Sequence, residues 1–340
     1  MTVVHFQRRQ GKGCFSLERY FADVRNAMPA DIAVRVSINR FVSRGVLRRC
    51  FDLLRARWRQ GDINHVTGDV HFLTFLMDRR RTVLTVLDCG TLERLVGWRR
   101  RVLWFIWFWL PTKRCAAITV ISEFTKKELI RHVACDPAKI HVVHCSVSPE
   151  FRPSPYTFRA DCPTILQIGT TYNKNVERVA AAVDGLRCRL VIVGELCRSQ
   201  REALRRHRVD YVNWVDVPRG QLIELYKCSD LIVFASTYEG FGLPIVEANA
   251  SGRPVVTSRM PVTLEIGRDA ACYVDPYDPV SIRAGIDRVC TERAYREQLI
   301  ANGLRNVARF EPDGIAEQFA RLYRRLYADV LDATATVSVS

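Results

Sequence analysis

Two glutamates, Glu239 and Glu247, flank a short segment that contains Gly240 and Gly242. A buried β-strand is predicted just before this segment, and Pro244 suits the first turn of a helix just after it. The glycines leave room beside the helix start, where backbone N–H groups and the positive end of the helix dipole attract anionic or hydroxyl-rich ligands. Each carboxylate can accept hydrogen bonds from vicinal hydroxyls, as on a sugar ring or a ribose. The alternative is that Glu247 only stabilises the helix start and Glu239 is a solvated loop residue.

These side chains need a sheet edge to position them. Short β-branched runs alternate with helical stretches, which predicts an α/β fold with doubly wound parallel sheets. Ligands of such sheets bind beyond the carboxyl ends of the strands, so both glutamates should point into that crevice. Strands are predicted near residues 3–7, 32–37, 82–87, 117–121 and 140–145, and again near 164–168, 190–193, 211–214, 231–235, 254–257 and 271–274. The helices include residues 17–26 and 124–133, the second capped by Ser122.

The chain is too long for one hydrophobic core. Its 340 residues predict two domains, and residues 146–163 contain four prolines without hydrophobic periodicity. We therefore expect an N-terminal domain at residues 1–150, a linker at 151–163 and a C-terminal domain at 164–311. A last helix is predicted at residues 312–332, which could return to the N-terminal domain, followed by a disordered tail at 333–340.

The composition is that of an ordinary globular protein, with 48% hydrophobic and 26% charged residues. The twelve cysteines form no Cys-x-x-Cys pair, and several lie in apolar stretches. They are expected to be small buried side chains of a reduced protein, rather than disulfides or zinc ligands. The first residues contain no apolar run long enough for a signal peptide, so a cytoplasmic location is predicted.

The positive charge is concentrated in the first half of the chain. Residues 1–155 contain 27 Lys and Arg against 13 Asp and Glu, a net charge of +14, whereas the remainder contains 24 against 23, a net charge of +1. A basic half of this kind is expected to face nucleic acid, an acidic lipid surface or a phosphate-bearing acceptor. The alternative is a solvated basic face without a partner.

Residues 102–111 form an apolar run rich in tryptophan, about half as long as a membrane-spanning helix. Arginines precede the run at positions 99–101, and Lys113 and Arg114 follow it. Interfacial aromatics with basic flanks are typical of a helix that lies in a membrane surface, here one rich in anionic lipid. A helix packed against the sheet explains the apolar residues equally well.

The segment from Glu239 to Glu247, with Gly240-Phe241-Gly242-Leu243-Pro244 between them and Gly252-Arg253-Pro254-Val255-Val256 after them, resembles the E-x7-E signature of the retaining group 1, or family 4, glycosyltransferases. The resemblance extends through residues 225–230, 265–271 and 274–276, and so covers essentially the whole C-terminal domain. It implies the GT-B fold, in which two Rossmann-like β/α/β domains face each other across a cleft. It also implies an enzyme of the bacterial surface-polysaccharide type, which would transfer a hexose from a UDP- or GDP-sugar to a saccharide or lipid-linked acceptor with retention.

Residues 169–175 are similar to the phosphate-binding turn of this family, where a lysine meets the diphosphate. Lys174 suits that role, because an ammonium at a strand-to-helix turn can neutralise a leaving diphosphate. The sequence contains no Asp-x-Asp, so we expect neither a metal nor another cofactor. Glu239 would orient the donor sugar and Glu247 would hold the ribose. The implied donor-binding residues are Gly169, Thr170, Lys174, Glu239, Gly240, Phe241, Gly242, Leu243 and Glu247, with Thr170 standing where the family often has arginine.

Residues 64–72 and 120–126 resemble the N-terminal domain of a subset of this family. That subset usually has His-Asp where this chain has Leu87-Asp88, so no role of that imidazole carries over, but Asp88 keeps its place as a third catalytic candidate. Four further residues are predicted to lie near the acceptor or the donor: Gly11, Gly13, His65 and Asp69.

Other functions are weighed against this one. A nucleic-acid partner is not expected, because the arginines form no recognised binding motif and the aromatics cluster in one run. A nicotinamide-dependent oxidoreductase is disfavoured, since Ile245 occupies the third glycine position of the dinucleotide fingerprint. A hydrolase with paired carboxylates is disfavoured because both glutamates belong to one turn. A sugar epimerase of the same fold or a non-catalytic paralogue remains open, given Leu87 and Thr170.

Overall fold

The computed structural model describes residues 1–9, 16–42 and 45–338. The chain divides into two compact units, one formed by residues 1–146 with the chain from Pro312 onward, the other by Val147–Glu311. Each unit contains one six-stranded sheet whose strands are all parallel. The α/β fold predicted from the alternating pattern is therefore confirmed. Among the described residues, no helix has both the length and the apolar composition that crossing a bilayer requires.

The first unit has its sheet in the order β2-β1-β3-β4-β5-β6, so the winding direction reverses between β1 and β3. Its strands are β1 (Thr2–Gln7), β2 (Ala33–Ile38), β3 (Ile63–Val66), β4 (Thr82–Val86), β5 (Ala117–Val120) and β6 (Ile140–Val142). Its helices before residue 146 are α1 (Ser16–Asn26), α2 (Val46–Arg57), α3 (Gly90–Arg94), α4 (Gly97–Leu103), α5 (Leu110–Lys113) and α6 (Glu123–His132), with a π-helical turn at Trp104–Trp109 and 3₁₀ turns at His71–Leu76 and Pro137–Lys139. The predicted Ser122 cap is present, since its side chain accepts a hydrogen bond from the Thr125 N–H at 3.0 Å.

Strand β3 was absent from the sequence-based prediction. It is four residues long, and Asn64 and His65 interrupt its apolar character, although all four residues are fully buried. A strand covered on both faces normally reads as a continuous apolar run, and this one does not. Its polar side chains are tolerated because they are hydrogen bonded inside the unit.

The second unit has its sheet in the order β12-β11-β10-β7-β8-β9, so its winding reverses between β7 and β10. Its strands are β7 (Thr164–Ile168), β8 (Arg189–Val193), β9 (Tyr211–Trp214), β10 (Leu231–Phe234), β11 (Val255–Ser258) and β12 (Cys272–Val274). Its helices are α7 (Val176–Ala182), α8 (Arg198–Arg206), α9 (Arg219–Cys228), α10 (Leu243–Ala250), α11 (Pro261–Gly267), α12 (Pro279–Thr291) and α13 (Arg293–Asn306), with 3₁₀ turns at Tyr172–Lys174 and Val307–Phe310. Each of the six strands lies within one residue of its prediction at both ends.

The predicted linker at residues 151–163 is part of the second unit. Two of its side chains reach the buried carboxylate of Asp230: the Tyr156 hydroxyl donates at 2.9 Å, and the Arg159 guanidinium donates at 3.1 Å. The prolines of this segment give it no helical or strand pattern, which is why it was predicted as a linker. Its side chains nevertheless hydrogen bond to residues of the second unit. The prediction of a separate linker is therefore corrected.

The last helix, α14 (Pro312–Ser338), belongs to the first unit. Phe319 and Tyr323 on α14 are buried against His5 of β1 and His65 of β3. The helix continues beyond residue 332, so the predicted disordered tail at 333–340 is helical as far as Ser338. Extending an existing helix adds one hydrogen bond per residue without a new nucleus, which lets a polar, threonine-containing end stay helical.

Candidate active site

The loops after β7 and β10 meet where the winding of the second sheet reverses. Thr237 N–H in the second loop donates to the Asn173 carbonyl in the first at 2.8 Å. The Asn175 side-chain amide donates to the Ala235 carbonyl, also at 2.8 Å. Reversal points are where open parallel sheets form ligand crevices. Residues far apart in the sequence, near 174 and near 239, are thus brought together at such a point.

Lys174 and Glu239 form an ion pair in this crevice, with Nζ and Oε1 separated by 2.6 Å. Both side chains are largely buried, and the ammonium also lies 4.5 Å from the centre of the Phe234 ring. Gly169 makes room for this lysine: its φ is +86°, and a Cβ there would lie 3.1 Å from the Lys174 side chain. A charged pair in a restricted space is a ready site for an incoming anion, because the ammonium can exchange one acceptor for another.

Glu247 lies at the start of the second turn of α10. The hydroxyl of Tyr226, on α9, donates to Glu247 Oε2 at 2.6 Å. Burial, and then the neighbouring Glu247 carboxylate, raise the pKa of Tyr226 well above its usual value, so its hydroxyl stays a donor. Sequence reasoning did not identify Tyr226 as a site residue, although it lies within the segment 225–230 that resembles the family.

The start of α10 depends on a left-handed residue. Gly242 has φ +105° at the N-cap, and a Cβ there would lie 3.2 Å from the Ile245 side chain. The Phe241 ring is buried edge-on against Phe310, with ring centres 5.7 Å apart, so that the Phe241 side chain supports the turn from within the core. Gly240 and Leu243 flank this turn, which places the backbone N–H groups of the helix start beside the Glu239 loop.

Thr170 holds two loops together. Its hydroxyl donates to the Glu195 carbonyl at 2.7 Å, and its own carbonyl accepts from the Gln200 side chain at 2.8 Å. The hydroxyl is therefore engaged with the loop after β8 in this structure. Thr170 lies at the predicted phosphate turn, where the family often has arginine. Its side chain carries no positive charge and instead connects this turn to the neighbouring loop.

The first unit contains a pocket of about 670 Å³ at the carboxyl ends of β3 and β4. Asp88 lines it, as does Asp69, whose carboxylate also pairs with Arg8 at 2.8 Å. Leu87, at the position of the absent family histidine, lines it too. The other walls are basic or apolar and include Arg49, Arg94, Arg99, Trp98, Ile106 and Trp107.

His71 is an imidazole of this pocket that sequence reasoning did not select. Its Nδ1 lies 2.6 Å from the Trp107 carbonyl oxygen in the π-helical turn, which fixes Nδ1 as the donor. Burial lowers the pKa of His71, against smaller opposing effects of Trp107 and Asp69. The ring is therefore neutral near pH 7, with Nε2 as a hydrogen-bond acceptor. The sequence offered no signal beyond the general resemblance of residues 64–72.

His65 is not part of this pocket, which corrects its prediction as a site residue. Its Nδ1 lies 2.6 Å from the Tyr323 hydroxyl and its Nε2 lies 2.6 Å from the Thr85 hydroxyl, so both ring nitrogens are hydrogen bonded beneath α14. Burial lowers the pKa of His65 to about 3. A side chain in the middle of a covered strand cannot reach a ligand at the end of the sheet. Gly11 and Gly13 lie outside the described residues.

The tryptophan-rich run has two different faces. Phe108 is buried in the core of the first unit, and Trp104 donates its indole N–H to the His132 carbonyl at 2.7 Å. Phe105 and Ile106 in the run are exposed, and so is Trp98, which precedes it. The interpretation as a helix packed on the sheet describes one face, and the opposite face leaves aromatic side chains in solvent.

The sequence matches two adjoining family models, "Glycosyltransferase Family 4" over residues 17–151 and "Glycosyl transferases group 1" over residues 151–306. It is 28% identical over 245 residues to an uncharacterized glycosyltransferase of Methanocaldococcus jannaschii, covering 64% of this chain and 62% of that protein. It is 29% identical over 236 residues to the O-antigen chain mannosyltransferase B of Escherichia coli, covering 62% of this chain and 60% of that protein. The chain thus spans about three fifths of the length of these relatives.

Among solved structures, the fold is similar to that of Anabaena HepE in complex with UDP and glucose, with a TM-score of 0.73 at 16% identity, covering 95% of this chain and 99% of that chain. The two parallel six-stranded sheets agree with the GT-B fold of this neighbour. From these matches and the E-x7-E segment at the reversal point of the second sheet, we conclude that the chain belongs to the group 1, family 4 glycosyltransferases.

Proposed function

We propose that this chain transfers a hexose, with retention, from a UDP- or GDP-sugar to a hydroxyl of a saccharide or lipid-linked acceptor in surface-polysaccharide or lipopolysaccharide synthesis. The observation that carries the proposal is the Lys174–Glu239 ion pair at the reversal point of the second sheet. The mannosyltransferase relative and the neighbour that binds UDP and glucose support it.

In the proposed reaction the donor diphosphate takes the place of Glu239 as the partner of the Lys174 ammonium. The carboxylate of Glu239 is thereby released to accept hydrogen bonds from the sugar hydroxyls. Glu247, held by Tyr226, accepts from the ribose. The chemistry of binding is then supplied by side chains that already lie together.

The chemical step breaks the bond between the anomeric carbon and the diphosphate oxygen and forms a bond to the acceptor oxygen on the same face. The acceptor proton passes to the leaving diphosphate. Lys174 and the N-terminus of α10 stabilise the negative charge on that group, which is the part a metal ion plays where one is used. We propose that no metal is needed for this step.

A panel of nucleotide-sugars in a thermal-shift assay tests the donor site, because a true donor raises the melting temperature in proportion to the logarithm of its concentration over its Kd. Lys174→Ala should abolish the shift and the turnover. The matched control is Lys227→Ala, which removes another lysine of the second unit, one paired with Glu224 on α9. If Lys174→Ala keeps the shift and the turnover of the wild type, the phosphate role is wrong.

We assign the acceptor to the pocket of the first unit. Asp88, His71 and Asp69 supply polar groups for hydroxyls, and its arginines suit a phosphate on the acceptor. The tryptophans and Ile106 suit an apolar chain. Asp88→Asn should lower turnover with acceptor while leaving the thermal shift by the donor unchanged. An Asp88→Asn enzyme with normal turnover would remove Asp88 from the reaction.

We propose that the protein is cytoplasmic and peripheral, and that an exposed face of the first unit docks on the inner face of the plasma membrane. Leu47 and Trp58, at either end of α2, are 86% and 84% exposed, and Trp98 is 71% exposed. Arg49 on α2 lies over the Trp107 ring at 5.3 Å, so α2 and the tryptophan-rich π-helical turn are neighbours. Flotation should increase with the phosphatidylglycerol content of the vesicles, and equal flotation with pure phosphatidylcholine would contradict membrane docking.

A sugar epimerase of the same fold or a non-catalytic paralogue is the second candidate, favoured by the engaged Thr170 hydroxyl and by Leu87. Product analysis separates the three outcomes. An epimerase returns an isomerised sugar without acceptor, whereas a non-catalytic paralogue binds the nucleotide-sugar and releases it unchanged.

A further inference from the structure

Glu93, Glu128 and His132 form a cluster in the first unit, and none of the three has a role in the proposed reaction. Glu128 and His132 stand four positions apart on α6 and therefore share a face of that helix. Glu93 reaches them from α3. One oxygen of each carboxylate and the Nε2 of the imidazole all lie within 4.8 Å of one another.

Two of these atoms are buried without a hydrogen-bond partner. Glu128 is 8% exposed, and the His132 side chain is 10% exposed. Within the described part of the chain, nothing hydrogen bonds to Glu128 Oε2 or to His132 Nε2. Leaving a buried polar atom unsatisfied costs about 1–3 kcal/mol, and more when the atom carries charge. These two atoms lie 3.5 Å apart, within ion-pair distance, and a ligand bound between them would satisfy both.

The second carboxylate of the cluster, that of Glu93, adds electrostatic repulsion when no cation is bound. One carboxylate oxygen of Glu93 and one of Glu128 lie within 4.8 Å of each other. Two carboxylates in one small space repel each other unless a proton or a cation lies between them. A bound cation would remove this repulsion and satisfy both unpartnered atoms at once.

We propose that Glu93, Glu128 and His132 bind a divalent transition-metal ion, best matched by Zn²⁺. Imidazole nitrogen and carboxylate oxygen are both ordinary zinc ligands at about 2.0–2.2 Å, which places two ligands of a tetrahedral ion about 3.3 Å apart. His132 Nε2 lies 3.5 Å from Glu128 Oε2 and 4.0 Å from Glu93 Oε1, so closing on the ion requires only small side-chain movements. Three protein ligands leave the fourth position to water.

The ion would hold α3 against α6. The helix α3 has only five residues; its N-cap residue Cys89 makes no side-chain hydrogen bond to it, and the Asp88 carboxylate accepts from the Gly90 N–H at 2.9 Å. Asp88, just before it, and Thr91 and Arg94 within it all line the acceptor pocket. Bound zinc would therefore fix the position of α3, which forms one wall of that pocket. The site concerns the first unit alone, and the metal-free chemistry proposed for the donor does not depend on it.

Zinc binding is measured by calorimetry on the full chain after chelator treatment and dialysis, with Zn²⁺ alone as the probe and Mg²⁺ as a comparison. We expect a saturable zinc site, an increase in melting temperature, and slower hydrogen exchange in peptides that span residues 88–95. Glu128→Gln and His132→Ala should each weaken this binding by about 100-fold or more, since even changes beyond the ligands themselves cost 10–100-fold.

Glu123→Gln is the matched control, because it makes the same change at an exposed position on the same helix and should bind zinc as the wild type does. Exposed cysteines could bind zinc elsewhere, and they remain in every variant. Glu93→Gln removes the carboxylate repulsion, so the metal-free variant should melt at or above the wild-type temperature while losing the zinc-induced increase. An equal zinc-induced increase in wild type and Glu128→Gln, or no saturable binding at all, would overturn the proposal.

Discussion

The hydrogen bond from Tyr226 to Glu247 shows how a buried neighbour prepares a binding carboxylate. The tyrosine is fully buried, and its hydroxyl donates to one carboxylate oxygen of Glu247. This hydrogen bond fixes the orientation of the whole carboxylate, including the other oxygen. Lys174 is prepared in a similar way by Gly169, which lets the lysine chain lie flat against the backbone. At both positions the residue that touches the proposed ligand depends on one that does not.

Tyr226→Phe should therefore raise the KM for the nucleotide-sugar more than it lowers kcat. The change removes one hydrogen bond to a charged group, which is worth about 1.5–3 kcal/mol, or roughly 10- to 150-fold in donor affinity. Steady-state kinetics with varied donor measures the split. Tyr211→Phe, at a partly exposed position on β9, is the control. If Tyr226→Phe lowers kcat alone, Glu247 acts on the chemical step rather than on donor binding.

Helix α14 illustrates what an element contributes beyond its own length. It brings the Tyr323 hydroxyl within 3.1 Å of His5 Nε2 and 2.6 Å of His65 Nδ1, and so gives one hydrogen-bond partner to each of two histidines buried on the sheet. Burial lowers the pKa of both histidines, with His65 adding to the effect on His5. Both rings are neutral in the folded state at neutral pH.

These histidines predict that acid destabilises the first unit. An unfolded histidine binds a proton below about pH 6.5, whereas His65 in the folded unit does so only near pH 3. The unfolded state thus binds more protons between these values, so the free energy of unfolding falls as the pH falls, by about 1.4 kcal/mol per pH unit for each such histidine.

Chemical denaturation at pH 7 and pH 5 measures this dependence. His65→Gln should make the difference between the two pH values smaller by about 2 kcal/mol, although the variant is less stable at pH 7. A difference as large as that of the wild type would mean that His65 is protonated in the folded protein.

At the scale of the whole molecule, the chain is not divided at a single point. The first unit consists of residues 1–146 and of the chain from Pro312 onward, whereas the second is continuous from Val147 to Glu311. The first unit therefore cannot complete its fold without α14, which follows the second unit in the sequence. The second unit contains all of its own strands and the Lys174–Glu239 pair.

Truncation after residue 311 should therefore affect the two units unequally. Without α14 the faces of β1 and β3 lose Phe319 and Tyr323, and removing each large buried aromatic costs about 3–5 kcal/mol. We expect rapid proteolysis and fast hydrogen exchange in the first unit, with a protected second unit that is still stabilised by the nucleotide-sugar. Equal protection of both units in the truncated chain would show that α14 is dispensable.

The sequence by itself determined the local pattern. Eleven of the twelve strands in the described part of the chain and the Ser122 cap were predicted because β-branched runs, prolines and capping residues act on their immediate neighbours. The same local chemistry identified the glycine turn between Glu239 and Glu247. Strand β3 was missed because Asn64 and His65 interrupt its apolar run, and the partners of His65 are distant in the sequence.

Tertiary structure alone decided which distant groups meet. Lys174 and Glu239 are 65 positions apart and become an ion pair because β7 and β10 are neighbours in the sheet. The same applies to His65, which lies beneath α14 instead of in the pocket, and to Glu93, which meets Glu128 and His132. Strand order and helix packing result from burying apolar surface over the whole unit, and no local sequence window contains that information.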